Sequence, residues 1–144
     1  MDGTTMEPLK QIKTYIFDLD GTLALIDHRR HFVEGTAKPN WKAFSEACDK
    51  DLPNKPVIDL FIHLVNLGYR VIISSGRTAD VKDKTLEWIE TRIKGNPLFN
   101  KERYYLCDNI ELLMRPSGDT TPDDVLKLNW LKEGMFGNKA DIMA

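Results

Sequence analysis

Apolar and polar residues fall into blocks along this chain, and the length of each block separates strands from helices. Short apolar runs rich in β-forming residues predict buried strands at Ile12–Phe17, Tyr69–Ser74 and Ile110–Arg115. Longer segments between them carry apolar residues three or four positions apart, which is typical of helices. This alternation predicts an α/β fold, a Rossmann-like three-layer core with a parallel sheet and helices on both faces.

Helices are predicted within residues 40–50, 57–68, 79–93 and 121–134. Asn40 is a good N-cap for the first of them. The stretch SSGR, residues 74–77, is expected to form a turn that leads into the third helix. Thr121 is the expected N-cap of the last helix, with Pro122 as its first residue.

Three aromatic residues lie within the predicted helices, and their spacing predicts their location. Trp41 and Phe44 share one face of the first helix with Cys48. Trp88 lies on the inward face of the third, and all three aromatic residues are expected in the core. The alternative for Trp41 or Phe44 is that one of them stacks on a base of a nucleic acid, since both lie in an insert between the first strand and the second helix.

Composition narrows the class of protein without naming a function. The chain has 144 residues, 42% of them hydrophobic and 29% charged, with a net charge of −2. We therefore expect one domain over 1–144, with a polar tail at 1–10 and a small cap insert at 27–54. The charge balance excludes a broad cationic surface for non-specific duplex binding.

Cysteine usage and hydropathy predict the compartment. Cys48 and Cys107 have no metal-type spacing, which favours reduced thiols and a cytoplasmic location. No apolar run approaches the ~20 residues of a membrane-spanning helix. The first ten residues lack the pattern of a signal peptide.

Polar residues with phosphate chemistry follow each predicted strand, at the carboxyl edge where parallel sheets bind ligands. Asp18 and Asp20 follow the first strand, and the stretch DxDGT that contains them is more specific than a lone pair of aspartates. The other members of the set are Gly21, Thr22, Ser75, Gly76, Arg77, Arg115, Gly118, Asp123 and Lys127.

This arrangement resembles the haloacid dehalogenase superfamily of phosphohydrolases over essentially the whole chain. The resemblance implies that Asp18 is the nucleophile and forms an aspartyl-phosphate. It implies that Asp20 is the general acid and base, and that Lys127 neutralises charge on the carboxylate and the phosphoryl group. Gly21 would permit the sharp turn, and Thr22 would orient the loop.

The same resemblance implies a phosphate site and a cofactor. Ser75 and Gly76 would hold the phosphate. Mg²⁺ is expected, bound by the Asp18 carboxylate and the Asp20 carbonyl, because two anions at close range need a cation between them.

A closer resemblance is to the 3'-phosphatase domain of phage-type polynucleotide kinase-phosphatases. It is carried by the stretches DLDGTLA, SGR and MRPSGDTTPDDVLK. It implies functional roles for Arg29, Arg77 and Arg115, whose guanidinium forks suit a substrate with several oxygens, and for Asp123 four residues before the lysine. The implied substrate is a phosphorylated nucleic-acid end or a nucleotide. No GxxxxGK[ST] motif occurs, so a kinase partner would be a separate chain.

The chain departs from the family pattern after Lys127. The family has an acidic pair at the end of the next strand, whereas here Asp141 precedes the predicted strand and is not expected to bind metal. We expect weaker Mg²⁺ binding and low activity as a result. We also expect an exposed sheet edge, which invites a homodimer.

Several alternatives stay open at this point. Ser74 competes with Ser75 as the phosphate-binding serine, and Arg30 competes with Arg29. His28 and His31 are expected at the surface or the substrate rim, since no third metal ligand is evident. For function, the alternatives are a nucleotidase or small-metabolite phosphatase of the same superfamily, and a catalytically impaired binding or regulatory module.

Overall fold

The computed structural model of the protein describes residues 13–100, 110–137 and 141–143. Strands are β1 Thr14–Asp18, β2 Ala24–Leu25, β3 Leu52–Pro53, β4 Arg70–Thr78, β5 Ile110–Arg115 and β6 Ile142–Met143. Helices are α1 Trp41–Glu46, α2 Lys55–Asn66, α3 Lys82–Ile89 and α4 Asp123–Lys132. Shorter 3₁₀ segments occupy Asp27–Phe32, Ala47–Lys50 and Ala79–Val81, and a π-helical turn at Glu90–Lys94 extends α3.

The central sheet is parallel, with the strand order β5-β4-β1-β6. Asp18 pairs with Ser74, and Ser75 pairs with Met114, so the carboxyl ends of the three long strands meet at one edge. The prediction of a Rossmann-like α/β fold with a parallel sheet is confirmed.

Helices cover both faces of the sheet because β4 is apolar on both sides. Val71 and Ile73 pack into the larger core cluster with α2 and α3. Ile72 points to the opposite face, where it packs with Leu126 and Trp130 of α4. Such a strand, buried on both faces, reads as a continuous hydrophobic run in the sequence.

A short antiparallel pair closes the insert. β2 and β3 pair with each other and enclose residues 27–50 between them. The Asn54 side-chain amide donates to the Thr22 carbonyl at 2.9 Å, which ties the end of the insert to the turn after β1. The N-cap prediction for Asn40 is confirmed, since its Oδ1 accepts from the Ala43 N–H at 3.0 Å.

Three local predictions were wrong. The stretch SSGR is not a turn: β4 continues through it to Thr78, with a shift in register between Ser75 and Thr78. The N-cap of α4 is Pro122, one residue later than predicted, and it makes no side-chain capping bond. Trp41 is not a core residue but is 63% exposed, whereas Trp88 is buried as predicted.

Asp141 directly precedes β6 and lies far along the sheet from Asp18. Ile142 pairs with Thr14 at the start of β1, so Asp141 lies at the opposite edge from Asp18, as predicted. Over the residues that the structure describes, β6 covers only the first two residues of β1. The tail at 1–10 and Cys107 lie outside the described residues.

A helix that spans a membrane must be both long and hydrophobic. Within residues 13–100, 110–137 and 141–143, no helix has both the length and the hydrophobicity to span a bilayer.

Candidate active site

Asp18 ends β1 with its side chain 44% exposed and one cation beside it. Its Oδ1 accepts from the Leu19 N–H at 2.8 Å and lies 2.9 Å from Lys127 Nζ. Lys127 also lies 3.2 Å from Asp123 Oδ2, one helical turn earlier on α4. The predicted nucleophile, lysine and helix aspartate are thus brought together.

The pKa of Lys127 reflects this pair of carboxylates. Partial burial disfavours the ammonium, but hydrogen bonds and charge from Asp18 and Asp123 outweigh it, so the pKa of Lys127 is raised. Lys127 therefore carries its positive charge throughout the neutral range.

The turn after Asp18 is compact and depends on one glycine. The Leu19 carbonyl accepts from the N–H groups of Thr22, Leu23 and Ala24. Gly21 has φ +80°, in the left-handed region that favours glycine. This turn sends the side chain of Asp20 away from that of Asp18.

The register shift in β4 forms a bulge at Gly76 and Arg77, next to the end of β1. Bulges of this kind redirect side chains beside active sites. Ser75 Oγ accepts from the Arg77 N–H at 3.1 Å, which leaves the serine's own proton free to donate. A Cβ at position 76 would overlap the Asp123 carboxylate, so any larger residue there would force that carboxylate to move.

Two arginines hold Asp20. Its Oδ1 accepts from Arg29 Nη2 at 2.9 Å, and from Arg77 Nε at 2.9 Å and Nη2 at 2.7 Å. Arg29 rather than Arg30 thus contacts Asp20, whereas Arg30 is exposed and pairs with Asp27 and Glu34.

Asp51 completes this cluster, and sequence reasoning missed it. Its Oδ1 accepts from Arg29 Nε at 2.8 Å, and its Oδ2 accepts from Arg29 Nη2 at 2.8 Å and Arg77 Nη2 at 2.9 Å. The side chain is fully buried, and its backbone carbonyl accepts from Trp88 Nε1 at 2.7 Å. The sequence signal was weak, since Asp51 ends the short charged stretch DKD directly before Leu52.

The cluster is balanced in charge, with two guanidinium groups and two carboxylates. Burial opposes the charge of Arg29, but the hydrogen bond to Asp51 and the charges of Asp20 and Asp51 outweigh it, so the pKa of Arg29 is raised. His28 Nε2 lies 2.6 Å from Asp51 Oδ1 at the partly exposed side of the cluster. His31, in contrast, is exposed and stacks on Phe32.

Hydrogen bonds within the protein already occupy most N–H groups of the three arginines. Arg29 donates its remaining nitrogen to the Phe44 carbonyl, and Arg77 Nη1 donates to the Thr85 hydroxyl, so both guanidinium groups are engaged within the protein. Arg115 donates from Nε to the Gly76 carbonyl and from Nη1 to the carbonyls of Asp119 and Thr121. Direct contact of Arg29 and Arg77 with substrate stays a prediction.

A cavity of about 630 Å³ opens beside these groups. Its lining includes Asp20, Gly76, Arg77 and Arg115 from the predicted site. Residues of the insert and of the loop before α4 form the remaining walls. This volume is in the range of small-molecule binding sites.

Two oxygen donors at the edge suit Mg²⁺, namely the Asp18 carboxylate and the Asp20 carbonyl. The contacts of Asp18 with Leu19 and Lys127 both end on Oδ1, so neither occupies Oδ2. In the described part of the chain, no group of three or more His, Cys, Asp or Glu residues is arranged to hold a metal. Mg²⁺ would fit as an ion that keeps several waters and takes oxygens from phosphate, which is its usual habit.

Comparisons with known proteins agree with this geometry. Residues 12–138 match the family described as the polynucleotide kinase PNKP phosphatase domain. A chain in a solved structure titled "Structure of Pnkp1/Rnl/Hen1 complex" is 28% identical, with a TM-score of 0.61 over 90% of this chain. A chain in "Structure of the Pnkp1/Rnl/Hen1 RNA repair complex" is 25% identical, with a TM-score of 0.56 over 92% of this chain.

The match covers only part of those larger chains, 37% of the first and 35% of the second. The family match nevertheless spans most of the present sequence and includes every predicted site residue. The chain therefore belongs to the polynucleotide kinase PNKP phosphatase-domain family, and it is a phosphatase of the haloacid dehalogenase kind.

Proposed function

We propose that this domain is a Mg²⁺-dependent polynucleotide 3'-phosphatase that acts through an aspartyl-phosphate. The observation that supports it best is the contrast between two carboxylates at one strand end. Asp18 is half-exposed beside Lys127, and Asp20 is held on one oxygen by Arg29 and Arg77. This arrangement suits a nucleophile and a fixed proton-transfer group.

In the first step, an Asp18 oxygen attacks phosphorus, and the bond from phosphorus to the ester oxygen breaks. Asp20 gives its proton to the departing oxygen, which leaves as an alcohol. All three arginine contacts of Asp20 end on Oδ1, which leaves Oδ2 to transfer the proton. Lys127, Ser75 and Arg115 would stabilise the charge that develops on the phosphoryl oxygens.

In the second step, Asp20 takes a proton from water, and the water oxygen attacks phosphorus. The bond from phosphorus to the Asp18 oxygen breaks, which releases inorganic phosphate, frees the Asp18 carboxylate and leaves Asp20 protonated as at the start. When bound, Mg²⁺ would supply charge neutralisation between the Asp18 carboxylate and the incoming phosphate. The residues that would hold it are Asp18 and, through its carbonyl, Asp20.

The substrate is inferred from the open cavity and from the relatives. A cavity of about 630 Å³ accommodates a nucleotide-sized group beside Asp20. One related structure is titled as an RNA repair complex, which supports a phosphorylated nucleic-acid end as substrate and a kinase or other partner on a separate chain.

We also propose a cytoplasmic location and a homodimer. Cys48 is a free and buried cysteine, and burial raises the pKa of its thiol, which is typical of a reduced structural cysteine. The limited pairing of β6 leaves room for a second copy to add a strand beside β1.

Phosphate release tests the proposed function. The substrates are one oligonucleotide with a 3'-phosphate, the same oligonucleotide with a 5'-phosphate, and a 3'-mononucleotide, each with Mg²⁺ and with a chelator. We expect Mg²⁺-dependent release that is fastest from the 3'-phosphorylated end. Preference for the mononucleotide would identify a nucleotidase. Binding of the oligonucleotide without release would identify a binding module and overturn the proposal.

A further inference from the structure

Trp41 is the one tryptophan of this chain at the surface. Its exposed fraction is 63%, whereas Trp88 and Trp130 are buried. Phe44, one turn further along α1, contacts it edge to face, with ring centroids 5.7 Å apart. Both rings line a cavity, and aromatic side chains are common in the walls of ligand-binding cavities.

The aromatic pair lines the same cavity as Asp20, the proposed proton-transfer group. Trp41, Phe44 and Ser45 form one wall, and Asp20 and Gly76 lie in the same lining. Residues 119–122, before α4, form the opposite wall. A molecule that presents its phosphate to Asp20 from this cavity therefore has the Trp41 ring within the same cavity.

Contacts with Arg29 hold this wall in place. The Arg29 guanidinium carbon lies 4.4 Å from the centre of the Phe44 ring, and Arg29 Nη1 donates to the Phe44 carbonyl at 3.2 Å. The same arginine holds Asp20 and Asp51. One face of Phe44 is thus covered by a buried cation, and Trp41 is the ring that remains open.

We propose that Trp41 stacks on the base of the nucleotide that carries the phosphate, with Phe44 as its support. Bases stack on aromatic side chains through flat apolar faces and keep polar edges, and the wall formed by Asp119, Thr120 and Thr121 offers polar groups for such an edge. This inference rests on the proposed function and defines its substrate class as an end with a base, not a bare sugar phosphate.

Paired substrates separate stacking from catalysis. One 3'-phosphorylated oligonucleotide has a normal terminal base, and a second of the same sequence has an abasic terminal residue. For Trp41→Ala we expect KM to rise about 10-fold with the normal end, with kcat little changed. With the abasic end we expect less than a 2-fold change. Trp41→Phe, which keeps an aromatic face, restores most of the affinity.

Leu60→Ala is the matched control, since Leu60 is also exposed but lies on α2 outside the cavity lining. An equal loss with both substrates, or no loss with either, would overturn the stacking role. A fall in kcat alone would also overturn it.

Tryptophan fluorescence gives a readout independent of turnover. We expect a 3'-phosphorylated oligonucleotide to quench the emission of the Asp18→Asn variant, and we expect the quenching to disappear when Trp41→Phe is added. Persistent quenching in the double variant would contradict the inference. If the wild-type protein releases no phosphate from 3' ends but the Trp41-dependent quenching occurs, the proposed reaction fails while the base-binding site stands.

Discussion

Asp18 and Asp20 are separated by one residue, yet their surroundings are opposite in kind. The side chain of Asp18 is half-exposed and has one partly exposed cation, Lys127. Asp20 contacts two buried arginines, and the fully buried Asp51 supplies the second negative charge that balances them. The turn through Gly21 makes this separation possible, because it directs the second carboxylate toward the insert.

The two environments also differ in how easily they rearrange. An exposed ion pair is screened by water and contributes little to stability, so Lys127 can exchange partners when a phosphate arrives. A buried ion cluster is costly to break once it is formed. The comparison therefore indicates an adaptable side around Asp18, the proposed nucleophile, and a rigid side around Asp20, the proposed proton-transfer group.

Replacement of the nucleophile has the largest expected effect on activity. Asp18→Asn keeps the shape of the side chain but removes the attacking charge, so we expect phosphate release to fall by about 10³-fold or more. The free energy of unfolding should stay within about 0.5 kcal/mol, because this side of the site is exposed. Asp27→Asn, at an exposed carboxylate, serves as the control. Activity within 10-fold of wild type would exclude Asp18 as nucleophile.

Replacement of Asp51 tests the rigid side. Asp51→Asn leaves two buried guanidinium groups with one carboxylate, so we expect the free energy of unfolding to fall by about 3 kcal/mol. Urea unfolding measures the change, and Asp49→Asn, an exposed neighbour, is the matched control. Equal stability of the two variants would remove the distinction between the two sides.

Gly76→Ala tests the close approach of β4 to α4. The added Cβ displaces the Asp123 carboxylate and with it Lys127, so we expect kcat/KM to fall by about 10-fold to 100-fold. The same change on an Asp123→Ala background should cost little, because the overlapping atoms are gone. Additive losses in the double variant would show that another contact is responsible.

The smallest expected effect is on how the free energy of unfolding depends on pH. The pKa of Lys127 is raised in the folded state, so its stabilising contribution is fully present below the unfolded pKa, about 10.4, and is lost as pH rises through the folded value. We expect the difference in free energy of unfolding between the wild-type protein and Lys127→Met to be constant from pH 7 to 9 and to shrink above about pH 11. A difference that shrinks below pH 9 would contradict the raised pKa.

Much of this site could be predicted because its signals are local. The motif DxDGT at the end of β1 spans five residues, and Asp123 lies four residues before Lys127. The parallel sheet then brings both motifs to one edge. The wrong predictions also have local causes. Serine and glycine in SSGR favour a turn, but pairing with β5 extended the strand and formed a bulge instead.

The sequence by itself determined the order of strands and helices and predicted the carboxyl edge, two acids and a lysine as the site, because periodicity and motif spacing act over short distances. The tertiary structure alone decided that Asp51 neutralises Arg29 and Arg77 and that Trp41 faces the cavity. Asp51 lies 22 residues from Arg29 and 26 from Arg77. The partner of a buried charge depends on which segments pack together in the fold, so a local sequence pattern does not predict it.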